Sequence, residues 1–366
     1  MRITDRYIGR QVLLGTLYAV LTLAVVLVLG NLYKKIQPLL VEQKAPLELV
    51  LRFVISVLPM SLIYTVPWGF LSAVLLVFGR LSTHHEITAC RVAGLSLVRL
   101  SVPVFVIGAL LSVFSLWLNI HVVPRSMATT VELIYEQARR DPDSLLKPGV
   151  QGNFKTDGSE SQKILIEGKS GEWVEGFHYY QLSASDEDER TYVHASRAAL
   201  TVDEANSRLR VKLEDAYFET HKSDGTIEMA FAGKAEPLII DLKSSQNRKT
   251  RPKTMNNDEI LAEIAAHPEF SYAKKIKLQS EITRRYSFSM ACFAFAFIAV
   301  PLGLSARRRD TSAGLILSLL IGTGYFMVTI LAEQCKSEVW VRSMLWAPNL
   351  ACVLLGLFLF HRARFK

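Results

Sequence analysis

Ionisable side chains are missing from the stretches of this 366-residue chain where a self-powered transporter would need them. Six long apolar runs, residues 12–33, 53–79, 100–120, 286–304, 311–332 and 343–360, carry no Asp, Glu, Lys, Arg or His. Moving protons or ions through hydrocarbon calls for titratable carriers inside the spans, so any substrate this chain moves takes its energy from another subunit. A nucleotide-binding fingerprint is also lacking. Glu167-Gly-Lys-Ser170 resembles the end of a phosphate-binding loop, but five positions before Gly168 stands Lys163, where that loop requires glycine. No catalytic constellation takes its place. His84 and His85 adjoin Glu86, yet adjacent residues on a helix point to different faces and do not share one metal as an i, i+4 pair does. The acids of 186–189 read as a solvated loop run. Neither a metal nor another cofactor is expected. Cysteine is sparse: Cys90, Cys292, Cys335 and Cys352 all fall in or beside the apolar runs, which excludes a disulfide-stapled polar domain. The formal net charge of +8 is spread over the flanks of those runs rather than gathered with stacking aromatics, which makes no case for nucleic acid.

What is present is a membrane protein. A hydrocarbon core about 30 Å thick is crossed by roughly 20 apolar residues of helix, and each of the six runs meets that requirement. The overall composition agrees, with 50% hydrophobic residues and a mean hydropathy of +0.23 despite one long polar stretch. Basic residues set the orientation, because short positive loops stay cytoplasmic. Arg2, Arg6 and Arg10 precede the first run, Arg80, Arg91 and Arg99 separate the second and third, Arg307 to Arg309 follow the fourth, and Arg362, Arg364 and Lys366 end the chain. If six spans alternate, all four clusters lie on the cytoplasmic side, both termini are inside and residues 124–277 are outside. Pro59 and Pro67 are the sensitive point, since a second run broken into two spans would invert the Arg80 to Arg99 connector. The first run is too long for the apolar region of a secretory signal and no small-x-small site follows Gly30, so it reads as a retained helix.

The hydrophobic period changes from helical to two over residues 151–242. Leu209-Arg-Val-Lys-Leu213 alternates, residues 172–181 and 190–202 are rich in aromatic and β-branched side chains, and Leu238-Ile-Ile-Asp-Leu242 adds a further run. Turn residues in Gly168-Lys-Ser-Gly171 and Lys222-Ser-Asp-Gly225 separate them. Short strands at such intervals predict an antiparallel sandwich, jelly roll or open barrel, whose inner face is a packed core or an apolar groove. Beyond it, Asn257-Asp258 is expected to cap a short helix that His267-Pro268 interrupts, and residues 271–304 read as one helix entering the bilayer near Arg284 and Arg285. The organisation is therefore three spans in 1–123, an inserted all-β domain with its connectors in 124–270, and three spans in 271–366.

The connector from Arg80 to Arg99, charged on a chain otherwise built to cross membranes, is suited to docking a partner. With Glu86 in it, about six spans and a β-rich domain after the third, the chain resembles the LptF/LptG (YjgP/YjgQ) permease family over nearly its whole length. The pieces that carry the resemblance are Asp5-Arg-Tyr-Ile-Gly9, His85-Glu-Ile-Thr-Ala-Cys-Arg-Val-Ala-Gly94 and Val300-Pro-Leu-Gly-Leu-Ser-Ala-Arg-Arg-Arg309. The resemblance implies a non-catalytic permease of the bacterial inner membrane with a periplasmic, jelly-roll-like domain. It also implies a paralogous LptF or LptG partner, two copies of an LptB-like ATPase, and LptC-like and LptA-like bridge proteins that receive lipopolysaccharide. Two rivals stand beside it: a lipoprotein-releasing type of permease, which more often places its exported domain after the first of about four spans, and a membrane-anchored assembly scaffold.

Three groups of candidate residues follow. Glu86, Arg91 and Gly94 are assigned to ATPase coupling: Glu86 pairs with a basic partner residue from a short helix that Gly94 ends, against the alternative of a solvated loop acid. Lys34, Lys35 and Arg52, at the outer ends of the first two spans, are assigned to lipid phosphates, against ordinary snorkelling at a helix end. Gly314, Ser318 and Gly322 recur every four residues and let helices approach closely, as a static seam or, by the resemblance, as part of the lateral opening lined by the first and fifth spans.

Overall fold

A computed structural model describes residues 3–43, 47–140, 152–155, 161–170, 173–182, 190–203, 208–221, 226–234, 238–241, 252–305, 311–334 and 337–364. Arg2, Arg307 to Arg309, Lys366, Cys335, the acids of 186–189 and the turn at 222–225 lie outside the described residues. The chain divides into a helical unit, Met1–Gln37, Pro46–Met127 and Pro252–Lys366, and a second unit, Pro38–Ala45 and Ala128–Arg251.

Among the described residues, six helical stretches are long and apolar enough to cross a membrane: Ile3–Gly30, Leu51–Thr83, Leu97–Thr130, Tyr272–Leu304, Gly314–Ala332 and Glu338–Ala363. They belong to α1 (Ile3–Gln43), α2 (Leu47–Thr83), α4 (Leu97–Trp117) with α5 (Val123–Arg140), α7 (Tyr272–Ser289) with α8 (Ala291–Ser305), α9 (Thr311–Glu333) and α10 (Glu338–Arg364), while α3 (Glu86–Val92) and α6 (Asn257–Ala266) are short. Helix α2 runs unbroken through Pro59 and Pro67, so the second run is one span. A break in hydrocarbon would leave backbone groups with no water to bond, a cost larger than the single N–H each proline removes. Phe70, Leu71, Leu75 and Phe78 of α2 and Phe295 of α8 are fully buried at the centre of the bundle. Leu17, Leu21 and Val25 of α1, Leu319 and Leu320 of α9 and Leu354, Leu355 and Phe358 of α10 are exposed. Helices apolar inside and outside alike fit a hydrocarbon solvent and not water.

Two departures from regularity bear on the site. Between α4 and α5 the helix widens into a π turn over Leu118–Val122. The expected single helix over 271–304 is jointed at Met290, whose N–H is shared between the carbonyls of Tyr286 and Ser287 at 3.2 Å each. Ser289 loosens the ladder there by donating its hydroxyl to the Arg285 carbonyl at 2.7 Å. The cap of α6 is Asn256 rather than the expected Asn257. Asn256 forms a capping box with Glu259, whose carboxylate accepts the Asn256 N–H at 2.8 Å, and this leaves the Asn257 amide for another bond described below.

The second unit holds a seven-stranded antiparallel sheet in the order β1 (Gly152–Lys155), β2 (Ser161–Ser170), β3 (Trp173–Leu182), β4 (Arg190–Asp203), β5 (Arg208–His221), β6 (Ile227–Lys234), with β7 (Leu238–Asp241) also on β5. Cross-strand neighbours build one apolar face: Ile166 opposes Phe177, Phe177 opposes Ala195, and Ala195 opposes Ala216. These four side chains are buried, as are Ile164, Val193 and Leu213. Gly176 and Asp215 adopt left-handed φ of 62° and 51°, and at that line the inward-facing set shifts from odd to even positions on β3, from Phe177 to Val174. Most side chains resist positive φ, so the crease is placed on a glycine and an aspartate.

Candidate functional site

The connector is a built structure rather than an open loop. Helix α2 ends at Thr83, His85 turns the chain with φ 59°, α3 occupies Glu86–Val92, and Gly94 reverses direction with φ 85° before Ser96 caps α4 by accepting the Arg99 N–H at 3.3 Å. Ile87 is buried in the bundle core, with Cys90 and Leu95 packed against it. The far side, with Thr88, Arg91 and Val92, faces outward, and Val92 is 86% exposed. Glu86 is half-buried, and its Oε2 accepts the Tyr7 hydroxyl at 3.1 Å. Asp5, two residues earlier on α1, pairs with Arg99 at 3.1 Å. Helix α3 and the start of α4 are thus both tied to the start of α1.

Gly314, Ser318 and Gly322 face α2 of the same chain. A methyl group on Gly314 would lie 3.3 Å from Leu76 Cδ2, and one on Gly322 only 1.8 Å from the indole Nε1 of Trp68. Between them Ser72 Oγ donates to Ser318 Oγ at 3.0 Å, and Ser318 donates on to the Leu315 carbonyl at 2.7 Å. The small residues of α9 therefore interlock with positions 68, 72 and 76, also four apart, and close helix approach replaces the absent hydrophobic drive.

Beside this seam lies an apolar cavity of about 340 Å³, walled by Leu27 of α1, Tyr64 and Trp68 of α2, Phe295 of α8, and Gly322 and Phe326 of α9. Its aromatic walls meet edge to face, with ring centroids 5.5 Å apart for Tyr64–Phe288 and 5.6 Å for Tyr64–Phe326. Tyr325, also in the lining, donates its hydroxyl to Asn349 Oδ1 at 3.2 Å, and Asn349 Nδ2 donates to the Ser287 carbonyl at 2.8 Å. All three are buried, so α7, α9 and α10 are held together by paired polar groups and the cavity keeps its shape.

The basic candidates are placed less fully. Lys34 and Lys35 lie on the continuous helix α1, their side chains outside the described ones. Arg52 is exposed and pairs with Glu48 at 2.6 Å, a surface pair worth about 0–1 kcal/mol. On the sheet, His178 contacts Tyr192 at 2.8 Å and Glu167 at 3.2 Å. Burial, and next the neighbouring Tyr180, pushes the Tyr192 phenol up to about 12, so it stays a neutral hydrogen-bonding group. Among the described residues no three His, Cys, Asp or Glu side chains converge to hold a metal ion.

Nothing in the sequence marks Tyr7, Trp68 or Asn349 for the site, and the expected bilayer entry near Arg284 and Arg285 leaves out their pairing with Glu281. Glu281, four residues before Arg285, was the available signal for an internal pair. A family model described as the lipopolysaccharide export system permease LptF/LptG matches residues 6–362. No protein of curated function matches the chain significantly.

Proposed function

Because the chain belongs to the LptF/LptG family of lipopolysaccharide export permeases, we propose that it is the subunit that lifts lipopolysaccharide from the inner membrane when a separate ATPase drives it. As a family member it is a multi-pass inner-membrane protein and a permease subunit of an ABC transporter. We place both termini and α3 in the cytoplasm and the sheet unit in the periplasm, with residues 124–270 as the exported domain and three spans on either side of it.

The outward face of α3, with Arg91 and Val92, meets the ATPase, and Gly94 sets the turn that presents it. Glu86 is shared between that contact and Tyr7. Since Tyr7 and Asp5 tie α3 and Arg99 to α1, and the same helix carries Leu27 in the cavity wall, displacement of α3 reaches the cavity along one rigid rod. Narrowing the cavity expels an acyl chain, while Lys34 and Lys35 hold the phosphates of the head group. The apolar inner face of the sheet then receives the chains, before an LptC-like and LptA-like bridge takes them on. A paralogous permease completes the path.

The observation that carries this reading is the apolar cavity walled by the helix that is tied to the docking helix. Its test is a photoreactive side chain at Leu27 in the complex purified with its ATPase. Lipopolysaccharide adducts that decline on ATP hydrolysis support the reading, and no glycolipid adduct and no bound ATPase refutes it.

A further inference from the structure

One guanidinium gathers four hydrogen bonds where α7 meets the stretch that follows the sheet strands. Arg285, 2% exposed, donates from Nε to Glu281 Oε1 at 3.2 Å, from Nη1 to Asn257 Oδ1 at 2.8 Å, and from Nη2 to the carbonyls of Pro252 at 3.0 Å and Met255 at 2.8 Å. Glu281, itself buried, also receives Arg284 Nε at 3.0 Å and Nη2 at 2.7 Å. Met255, Ile260 and Leu278, on the same stretches of chain, form a small buried apolar cluster. A charge buried this deeply is tolerated only when its donors are satisfied, and a planar fork fixes the direction of each bond as an ammonium does not.

The same residue reaches the irregular part of the bundle. Its carbonyl accepts the Ser289 hydroxyl at 2.7 Å, and Ser289 Oγ accepts Asn119 Nδ2 at 2.9 Å from within the π turn. Met290, the joint between α7 and α8, comes next in the chain. A continuous run of bonds therefore links residues 252–257, the first described stretch after β7, to the two places where the membrane helices depart from regular geometry.

We propose that Arg285 is a positioning residue for lipid hand-over: it makes the segment 252–257, the first described residues after β7, move with the α7/α8 joint when the bundle rearranges. The proposal rests on the permease reading above. It is tested in the full complex with ATPase and partner permease, in vesicles containing lipopolysaccharide. Three readouts are needed: ATP hydrolysis, adducts at a photoreactive residue replacing Leu27, and adducts at one replacing Phe218 on the sheet's apolar side.

With Arg285→Lys, which keeps the charge and loses the fork, ATP-dependent adducts at Phe218 fall roughly tenfold while hydrolysis and Leu27 adducts stay within about twofold. Asn257→Ala removes one of the four bonds, leaves the buried ion pair intact and produces a smaller fall of the same kind. Unchanged Phe218 adducts in Asn257→Ala, or in both variants, overturn the proposal. So does a parallel fall of all three readouts, which marks a merely structural residue. Absence of ATP-dependent Phe218 adducts in the unsubstituted complex fails the permease reading instead.

Discussion

The Tyr7 hydroxyl donates to the Glu86 carboxylate across 3.1 Å and joins residues 79 positions apart. The two sit in the segments Asp5-Arg-Tyr-Ile-Gly9 and His85 to Gly94, two of the pieces that carry the family resemblance. Their contact gives Glu86 an internal role: it fastens α3 to α1, the helix that also carries Leu27 in the cavity wall.

Glu86→Lys reverses the charge on α3 and removes the acceptor for Tyr7. The expected outcome is loss of ATP-driven lipopolysaccharide release with the ATPase still hydrolysing ATP, read by parallel release and hydrolysis assays. Tyr7→Phe removes only the internal bond, and a partial loss of release with full ATPase retention is expected. Wild-type release in Glu86→Lys, with ATPase binding undiminished, would remove coupling from this residue.

Replacing Lys34 and Lys35 together with Ala lowers photocrosslinking of lipopolysaccharide, because the phosphates lose their counter-charges. Arg52→Ala has the smaller effect, since its guanidinium is already engaged by Glu48 at 2.6 Å. Equal crosslinking in the double variant and the parent assigns Lys34 and Lys35 to snorkelling.

Gly322→Ala drives a methyl group into the indole of Trp68 and forces α9 from α2. Reduced assembly and reduced lipid loading are expected, and pairing the change with Trp68→Leu should restore much of both, as a double-mutant cycle can show. Additive loss in the double variant would mean that the seam does not work through Trp68.

Asn349→Leu leaves the Tyr325 hydroxyl only the longer bond to the Ser287 carbonyl at 3.4 Å and takes from Ser287 the two bonds that the Asn349 amide donates. A loss of about 1–2 kcal/mol is expected, seen as a lower melting temperature of the detergent-solubilised chain. Tyr325→Phe should cost less, because Asn349 continues to donate to the Ser287 carbonyl.

Much of the architecture was legible because hydrophobic length and period report the solvent each residue meets. Charge-free runs identified the six spans, and alternation with turn residues identified the strands. Boundaries were harder: α1 continues past Lys34 to Gln43, where polar residues extend a helix that apolar length alone would end. The α7/α8 joint is hidden because Ser289 and Met290 carry no breaker signal; the structure shows it in the shared Met290 N–H and the serine's bond to the Arg285 carbonyl. The crease at Gly176 and Asp215 defeats a strict period of two. Pairings such as Trp68 with Gly322 or Arg285 with Asn257 depend on residues far apart in the chain, and one sequence does not state which distant positions meet. Small residues at four-residue spacing announced a seam without naming its other half.

The central claim is that α3 is gripped from inside the cell. Val92→Cys in a Cys90→Ser, Cys335→Ser background, treated with a membrane-impermeant thiol reagent in intact spheroplasts and then in opened membranes, tests it most directly. The account predicts no labelling in the spheroplasts, labelling in opened membranes stripped of the ATPase, and protection when the ATPase is restored. Labelling in the intact spheroplasts would place the docking helix on the periplasmic side and contradict it.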